Sequence, residues 1–326
     1  MNFFCTLFDT NYLSRGIALY HSLRQQLGED FHLFVFPFDQ SSYDLLTVMN
    51  MPQLTVVAQS EFETDDLLAV KQNRKPGEYC WTCTPAIIEH LLETYEIDHC
   101  TYLDADTFFF DSPALILNHL DKKDVIITEH RFTTQYDRTD SVGRFCVQFV
   151  YFNQTENARS ILKHWREQCI EWCFDKIEDG KFGDQKYLDE WPASPNVFIP
   201  HHLGVGVAPW NVQQYEVRSV RGKPYIYDEK GSQCVPLVFY HFHGLKFINA
   251  HEVDLGGYKL EQSVVDNIYK PYWTLLKEIE NRLNSLGVDL NIHGIRTSSS
   301  SGWLDNWKRK IKGTYNVQKL KESVPG

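Results

Sequence analysis

Thr101-Tyr102-Leu103-Asp104-Ala105-Asp106-Thr107-Phe108-Phe109-Phe110 is an apolar, aromatic run cut by two carboxylates one residue apart. An unpaired buried carboxylate is very costly, so two acids at the tip of a core strand require something positive beside them. Two readings follow. Either the strand ends in a solvated Asp-Ala-Asp turn, or the acids meet a metal ion and a phosphate. The rest of the chain decides between them.

Working outward, strands and helices alternate. Residues 2–8 form a short aromatic run that reads as a buried strand and ends in the polar turn Asp9-Thr10-Asn11-Tyr12. Residues 14–27 carry apolar side chains at 17, 20, 23 and 27, a helical face stopped by Gly28. Strands are expected at 31–38 and 54–57, with Ser41-Ser42-Tyr43-Asp44 as a capping box between them. Residues 71–78 read as a basic Pro-Gly loop, and 85–95 as a helix with Pro85 in its first turn. Further strands are expected at 124–128, 144–153 (interrupted by Gln148), 196–199 and 237–242, the last closing on His241-Phe242-His243-Gly244. Helices are expected at 156–174 and 269–286. The pattern predicts an α/β fold, a mostly parallel central sheet with helices on its faces. In such a sheet, ligands bind beyond the carboxyl ends of the strands, which is where Asp9/Asn11, Asp104/Asp106 and His241/His243 all fall.

The 326 residues, 43% hydrophobic and 14% aromatic, fit one large α/β domain with appendages. A net charge of −11 argues against a general nucleic-acid binder. Of eight cysteines, only Cys80 and Cys83 form a CxxC, too few ligands for a structural zinc site, and reduced thiols in a cytosolic protein are expected. The first residues lack the basic region of a signal peptide, and no apolar stretch is long enough for a membrane span. Beyond the linker Ser298-Ser299-Ser300-Ser301-Gly302 the chain changes character. Residues 301–326 hold six lysines and arginines against two acids, a net of +4 that leaves −15 on the body. Trp303, Trp307 and the basic run Lys308 to Lys312 are expected either to lie on the inner face of a membrane or to pack on the body.

Two carboxylates and an imidazole suit a divalent cation that also binds a diphosphate, and the imidazole favours manganese over magnesium. Lys246, just behind the histidines, is placed to neutralise remaining phosphate charge. Four motifs in this order resemble those of the retaining glycosyltransferases of the glycosyltransferase A fold, a family that includes glycogenin and bacterial lipooligosaccharide galactosyltransferases. Phe8-Asp9-Thr10-Asn11-Tyr12 resembles the turn that holds base and ribose. Leu103-Asp104-Ala105-Asp106 resembles the DxD motif that chelates the metal and touches the ribose. Gly183-Asp184-Gln185 resembles the GDQ motif beside the reacting sugar, and His241-Phe242-His243-Gly244 the HxxG motif whose first His is the third metal ligand. The resemblance spans residues 2–247 and departs from the family in places. Lys246 stands one residue nearer the Gly than usual. The family's Arg before the DxD has no counterpart, with Lys71, Arg74 and Lys75 as candidate replacements. Cys146-Val147-Gln148 stands where the family has an Asn-Ala-Gly sugar contact. Residues 203–211 are an expected acceptor-side loop, with Trp210 either a stacking surface or a core residue.

The resemblance implies transfer of a sugar from a nucleoside-diphosphate donor, UDP-linked, to a glycan or glycolipid hydroxyl with retention. Asp104, Asp106 and His241 would hold Mn2+ or Mg2+. Asp9, Asn11, Tyr12, Asp104 and Lys246 would bind the nucleotide, and Asp184 and Gln185 would border the anomeric carbon. The expected division is 1–247 as catalytic domain, 248–297 as helical extension, and 298–326 as linker and basic aromatic tail. The rivals are a nucleotidyltransferase, which should show a Gly-rich phosphate loop where Asp9 to Gly16 has a single Gly, and a non-catalytic nucleotide- or glycan-binding module.

Overall fold

The computed structural model describes residues 1–118, 123–228, 231–295 and 303–320. Its first strand, β1 (Asn2–Phe8), pairs in parallel with β2 (Phe31–Pro37), which pairs in parallel with β3 (Leu54–Val56). On its other side β1 pairs in parallel with β4 (His99–Leu103). After a turn, β5 (Thr107–Phe109) leaves the sheet. The sheet continues through β6 (Val125–Glu129), β7 (Phe145–Asn153) and β8 (Val197–Phe198), in the order β3-β2-β1-β4-β7-β6-β8. Only β7 runs against its neighbours. The expected mostly parallel sheet is present. Its inner strands read as unbroken apolar runs because both faces are covered.

One face packs Phe4, Leu19, Phe149, Tyr240 and Tyr272 beneath helices Leu13–Leu27 and Lys270–Ser285. The other packs Cys5, Ile87, Phe152 and Trp165 beneath helices Pro76–Thr94 and Glu156–Glu171. Two helix starts differ from expectation. Helix Gln40–Met49 is capped by Asp39, whose carboxylate accepts from Ser42 N at 2.8 Å, and not by Ser41. Helix Pro76–Thr94 begins nine residues before Pro85, which lies in its interior. Pro76 supplies the fixed φ of a first helical residue, and Glu78 Oε2 accepts from Lys75 N at 2.8 Å. Pro85 removes one bond mid-helix, while Thr84 Oγ1 donates to Cys80 O and Thr82 Oγ1 to Glu78 O alongside it.

The C-terminal half holds more strand than the sequence reading expected. A meander of β9 (Tyr215–Val220), β10 (Lys223–Asp228) and β11 (Cys234–Pro236) turns at Arg221 and Gly222, both in the left-handed region. β12 (Phe239–His241) pairs with β5. β13 (Lys246–Asn249) and β14 (Glu252–Asp254) form a hairpin. The chain end returns to this hairpin. Helix Trp303–Ile311 precedes β15 (Val317–Lys319), which pairs with β14. The Ser298 to Gly302 linker and the Trp303 side chain lie outside the described residues. No described helix is long and apolar enough to cross a membrane.

Candidate active site

The two acids that cut the aromatic run occupy the turn between β4 and β5, where Thr107 N donates to Asp104 O at 3.0 Å. Both flanks of the turn are fastened. Asp104 N donates to Gln148 O of β7 at 3.2 Å, and Phe242 N donates to Asp106 O at 2.9 Å. Because β12 pairs with β5 in the register His241↔Thr107, the imidazole arrives beside Asp106. His241 Nε2 lies 3.1 Å from Asp106 Oδ1 and 3.6 Å from Asp104 Oδ2.

These three groups each offer a ligand atom, all within 4.8 Å of one another, and no other such group occurs among the described residues. Two carboxylates and one imidazole gathered this closely fit a divalent cation with positions left for a ligand. Without one, the groups compensate each other. Burial opposes charge on His241, but Asp106 and then Asp104 raise it well above the usual imidazole range. Burial likewise opposes Asp106, yet the His241 charge holds it down at about 2. Asp104 is raised, chiefly by burial, with Asp106 adding to the shift and His241 opposing it. Tyr102 OH donates to Asp104 Oδ1 at 3.0 Å.

The first polar turn closes on the same cleft. Asp9 accepts from Asn11 N at 3.0 Å and from Asn11 Nδ2 at 2.8 Å, so the pair is locked before any ligand arrives. Asp39 fixes the turn from below, accepting from Thr10 N and Thr10 Oγ1, both at 2.7 Å. Tyr12 is 42% exposed, and desolvation of its phenol, then the charges of Asp106 and Asp104, push it up to about 12, as fits a ring beside the acids. Arg15 is buried behind it. Its guanidinium lies over the Tyr12 ring at 4.5 Å and donates to Asn11 O at 3.1 Å and Leu245 O at 3.0 Å. It thereby ties the first turn to the segment after His243.

Asp184 and Gln185 follow Gly183, whose φ of +52 makes the turn against Trp81. Asp184 is 5% exposed and faces no cation; burial, then Asp104, raise its carboxyl well above the usual range. Thr84 bonds to it from helix Pro76–Thr94. Gln185 Nε2 donates to Val142 O at 2.8 Å. His243 keeps an open side to solvent. Desolvation of its ring on the inner side, then the His241 charge, hold it at about 4. Lys246 is exposed, and its charge reaches His243.

Two expectations shift. Lys71 pairs with Glu63, the Arg74 guanidinium lies 3.9 Å over Phe174 and donates to Ile170 O, and Lys75 is exposed with its ammonium 3.9 Å from Glu78, so all three have local partners. Trp210 is a wall and not an open stacking surface. It is buried, donates from Nε1 to His130 O at 2.9 Å, and sets its ring edge-on to His241 at 5.4 Å and His243 at 5.5 Å. Arg15 and Thr84 belong to none of the four motifs, and with Gln148 they are buried polar groups beside the site. The available signal was polar chemistry inside apolar runs, since buried polar groups need partners.

No protein-family model matches the chain. Two relatives from Bacillus subtilis (strain 168) are similar along most of its length. The uncharacterized protein YfnD is 33% identical over 296 residues, covering 88% of this chain and 92% of its own. The uncharacterized protein YfnF is 32% identical over 260 residues, covering 77% and 84%. Among solved structures, the galactosyltransferase LgtC in complex with donor and acceptor sugar analogs superposes with a TM-score of 0.54 at 11% identity, over 85% of this chain and 95% of that one. An active-site mutant of LgtC superposes with a TM-score of 0.53 at 10% identity, over 93% and 99%. The chain belongs to the family of YfnD and YfnF, and its fold is the glycosyltransferase A fold.

Proposed function

We propose that this chain is a metal-dependent glycosyltransferase that moves a sugar from a UDP-linked donor to a hydroxyl of a glycan or glycolipid, with retention. The reading rests on the Asp104, Asp106 and His241 cluster at the carboxyl end of β4 in this fold. These residues hold Mn2+ or Mg2+, which when bound neutralises the charge that develops on the diphosphate leaving group. Asp9, Asn11 and Tyr12 seat base and ribose in a turn already locked by its own hydrogen bonds. Asp104 adds a ribose contact, and Lys246 meets phosphate from the exposed side. Asp184, whose carboxyl is raised by burial and then by Asp104, hydrogen-bonds a sugar hydroxyl. Gln185 borders the anomeric carbon with its amide oriented by Val142 O. A double displacement needs a carboxylate nucleophile; the Gln185 amide is not one, and Asp184 is engaged with sugar hydroxyls instead. Front-face attack, with the acceptor proton passing to the leaving phosphate, is the route that fits. A trapped covalent adduct on Asp184 would overturn it.

Residues 1–247 form the catalytic unit in this reading, with 248–297 and 298–326 as appendages. The tail rests on an anionic membrane, on the cytoplasmic side, where a glycolipid acceptor would lie. Leu304, Trp307 and Ile311 share one helix face and are 61%, 54% and 66% exposed, beside Lys308, Lys310 and Lys312. Apolar burial at the interface and attraction to anionic lipid act together on such a face. Co-sedimentation with phosphatidylglycerol vesicles, lost in Trp307→Glu and in high salt, is expected; equal recovery with neutral vesicles would remove the electrostatic part.

Hydrolysis of a panel of nucleotide sugars, with Mn2+ or with EDTA, tests activity and donor together. Turnover of a UDP-sugar in Mn2+ alone is expected, and inertness toward every donor would sink the reading. Calorimetry with UDP, with and without Mn2+, separates the enzyme from a glycan-binding module, which predicts no metal-dependent binding of UDP.

A further inference from the structure

β7 does not run evenly beside β6. The pairing goes from Ile127↔Val150 directly to Thr128↔Cys146, so Val147, Gln148 and Phe149 bulge from β7 with nothing inserted opposite them. The side-chain alternation breaks there as well. Phe145 and Val147 face one core, whereas Phe149 and Tyr151 face the other. Bulges recur beside active sites because they re-aim a side chain. Here the re-aimed side chain is Gln148, which is 0% exposed in an otherwise apolar strand.

Both ends of its amide are engaged. Oε1 lies 2.9 Å from His241 Nδ1, and Nε2 donates to Thr128 Oγ1 at 3.3 Å. Gly206, at φ +69, leaves the room beside this amide; a Cβ there would sit 3.2 Å from Gln148 Nε2. With the amide in this orientation its oxygen accepts, so Nδ1 of His241 carries the hydrogen. That leaves Nε2, the nitrogen facing Asp104 and Asp106, as the one to offer a lone pair. Trp210 packs edge-on against the same ring, and Cys146 bonds to it from the near end of the bulge.

We propose that Gln148 is a positioning residue for the metal centre, its bulged amide holding His241 with Nδ1 protonated and Nε2 directed at the cation. This rests on the metal-dependent reading above. It also gives the Cys146-Val147-Gln148 segment a different role from the sugar contact found at the corresponding place in the resembling family, because an amide that is 0% exposed is out of a sugar's reach. Histidine ligands commonly donate their second ring N–H to an outer partner, and loss of that partner costs about 10- to 100-fold in metal affinity.

Two measurements test it, neither of them turnover. The first is Mn2+ affinity, by electron paramagnetic resonance of the free ion. Gln148→Met, which keeps the volume, is expected to bind about 10- to 100-fold more weakly with an unchanged near-ultraviolet spectrum. Gln148→Glu, which keeps the acceptor, is expected to retain at least wild-type affinity. The second uses metal-free wild-type protein and needs no variant to fold. A protected His241 Nδ1–H resonance is expected in the 1H–15N spectrum, assigned by its absence in His241→Asn. Wild-type affinity in a folded Gln148→Met, or no protected Nδ1–H in the wild type, overturns the proposal for Gln148 alone. Wild-type protein that binds no Mn2+ overturns the metal reading itself, and this role with it.

Discussion

At the scale of single residues, the cleft is organised by charges that settle on one another. His241 is raised and Asp106 is held at about 2, each against burial and by the other's charge, which favours a proton on His241 facing the carboxylate. A cation must displace that proton, because a metal-bound imidazole donates a lone pair. Mn2+ affinity should therefore fall as pH is lowered from 8 to 6, with proton release on binding, measured by calorimetry in two buffers of different ionisation enthalpy. A flat profile would contradict the raised His241. In the metal-free protein the stabilising effect of this pair has two limits. The raised His241 contributes fully below its unfolded pKa and loses the contribution as pH rises through its folded value. The depressed Asp106 contributes above its unfolded value and loses the contribution as pH falls toward 2. Asp106→Asn should reduce metal-dependent UDP binding by at least ~100-fold, exceeding the cost of losing an outer-sphere partner. Asp184 has the opposite sign. A buried carboxyl with a raised pKa costs stability as pH climbs from its unfolded value toward its folded one. Asp184→Asn should therefore melt at or above the wild-type temperature at pH 8, with the gap closing near pH 4. A lower melting temperature at pH 8 would show that Asp184 is paired in a way these neighbours do not reveal.

At the scale of elements, the site depends on segments that hold it from behind. The 203–211 loop is pinned by Arg131, which donates to Leu203 O at 3.2 Å and also to Val205 O. Asn211 adds bonds to His130 O at 2.7 Å and Gly206 O at 2.9 Å. Gly204 lies flat on the β11 end of the meander, where an added Cβ would come within 2.0 Å of Pro236 O. Backbone cannot swing aside as a flexible side chain does. Gly204→Ala should cost roughly 1–3 kcal/mol by overpacking, read as a lowered chemical-denaturation midpoint. An unchanged midpoint would mean that loop and meander are not rigidly apposed. The sequence shows this element only as a loop, expected on the acceptor side, because its anchors come from residues about 70 to 80 positions upstream, and single-strand periodicity does not encode such separations. Helix Pro76–Thr94 was misplaced for a different reason. Pro85 is a valid sequence signal for a helix start, and tertiary packing on both sides overrode it.

At the scale of the whole molecule, the chain end is part of the folded body. Arg309 donates to both oxygens of Asp254, at 2.6 and 2.7 Å, and to Gly256 O at 2.9 Å, while Leu320 N donates to His251 O at 2.7 Å. The helix that exposes Leu304, Trp307 and Ile311 is thus held in a fixed orientation. Arg309→Ala should destabilise by about 1–3 kcal/mol, as expected for a hydrogen-bonded charged pair. It should also weaken vesicle binding, because the apolar face would no longer be presented rigidly. Wild-type melting and vesicle recovery in that variant would mean that the tail acts as a tether.

The sequence by itself determined the architecture. Continuous apolar runs alternating with amphipathic stretches require a buried, mostly parallel sheet, and acids at the ends of such runs can only lie at its carboxyl edge. Asp9, Asn11, Asp104, Asp106 and His241 were legible for that reason: each interrupts a core strand end, where charge is expensive unless it is used. Only the tertiary structure decided which groups meet and what supports them. The β5–β12 register places His241 against Asp106, the bulge in β7 turns Gln148 toward His241, and β15 binds the tail to β14. These are pairings between segments up to about 130 residues apart in the chain. Hydrophobic period tells a residue which face it occupies, but the partner across a sheet is chosen by register, which depends on the free energy of the whole packed core.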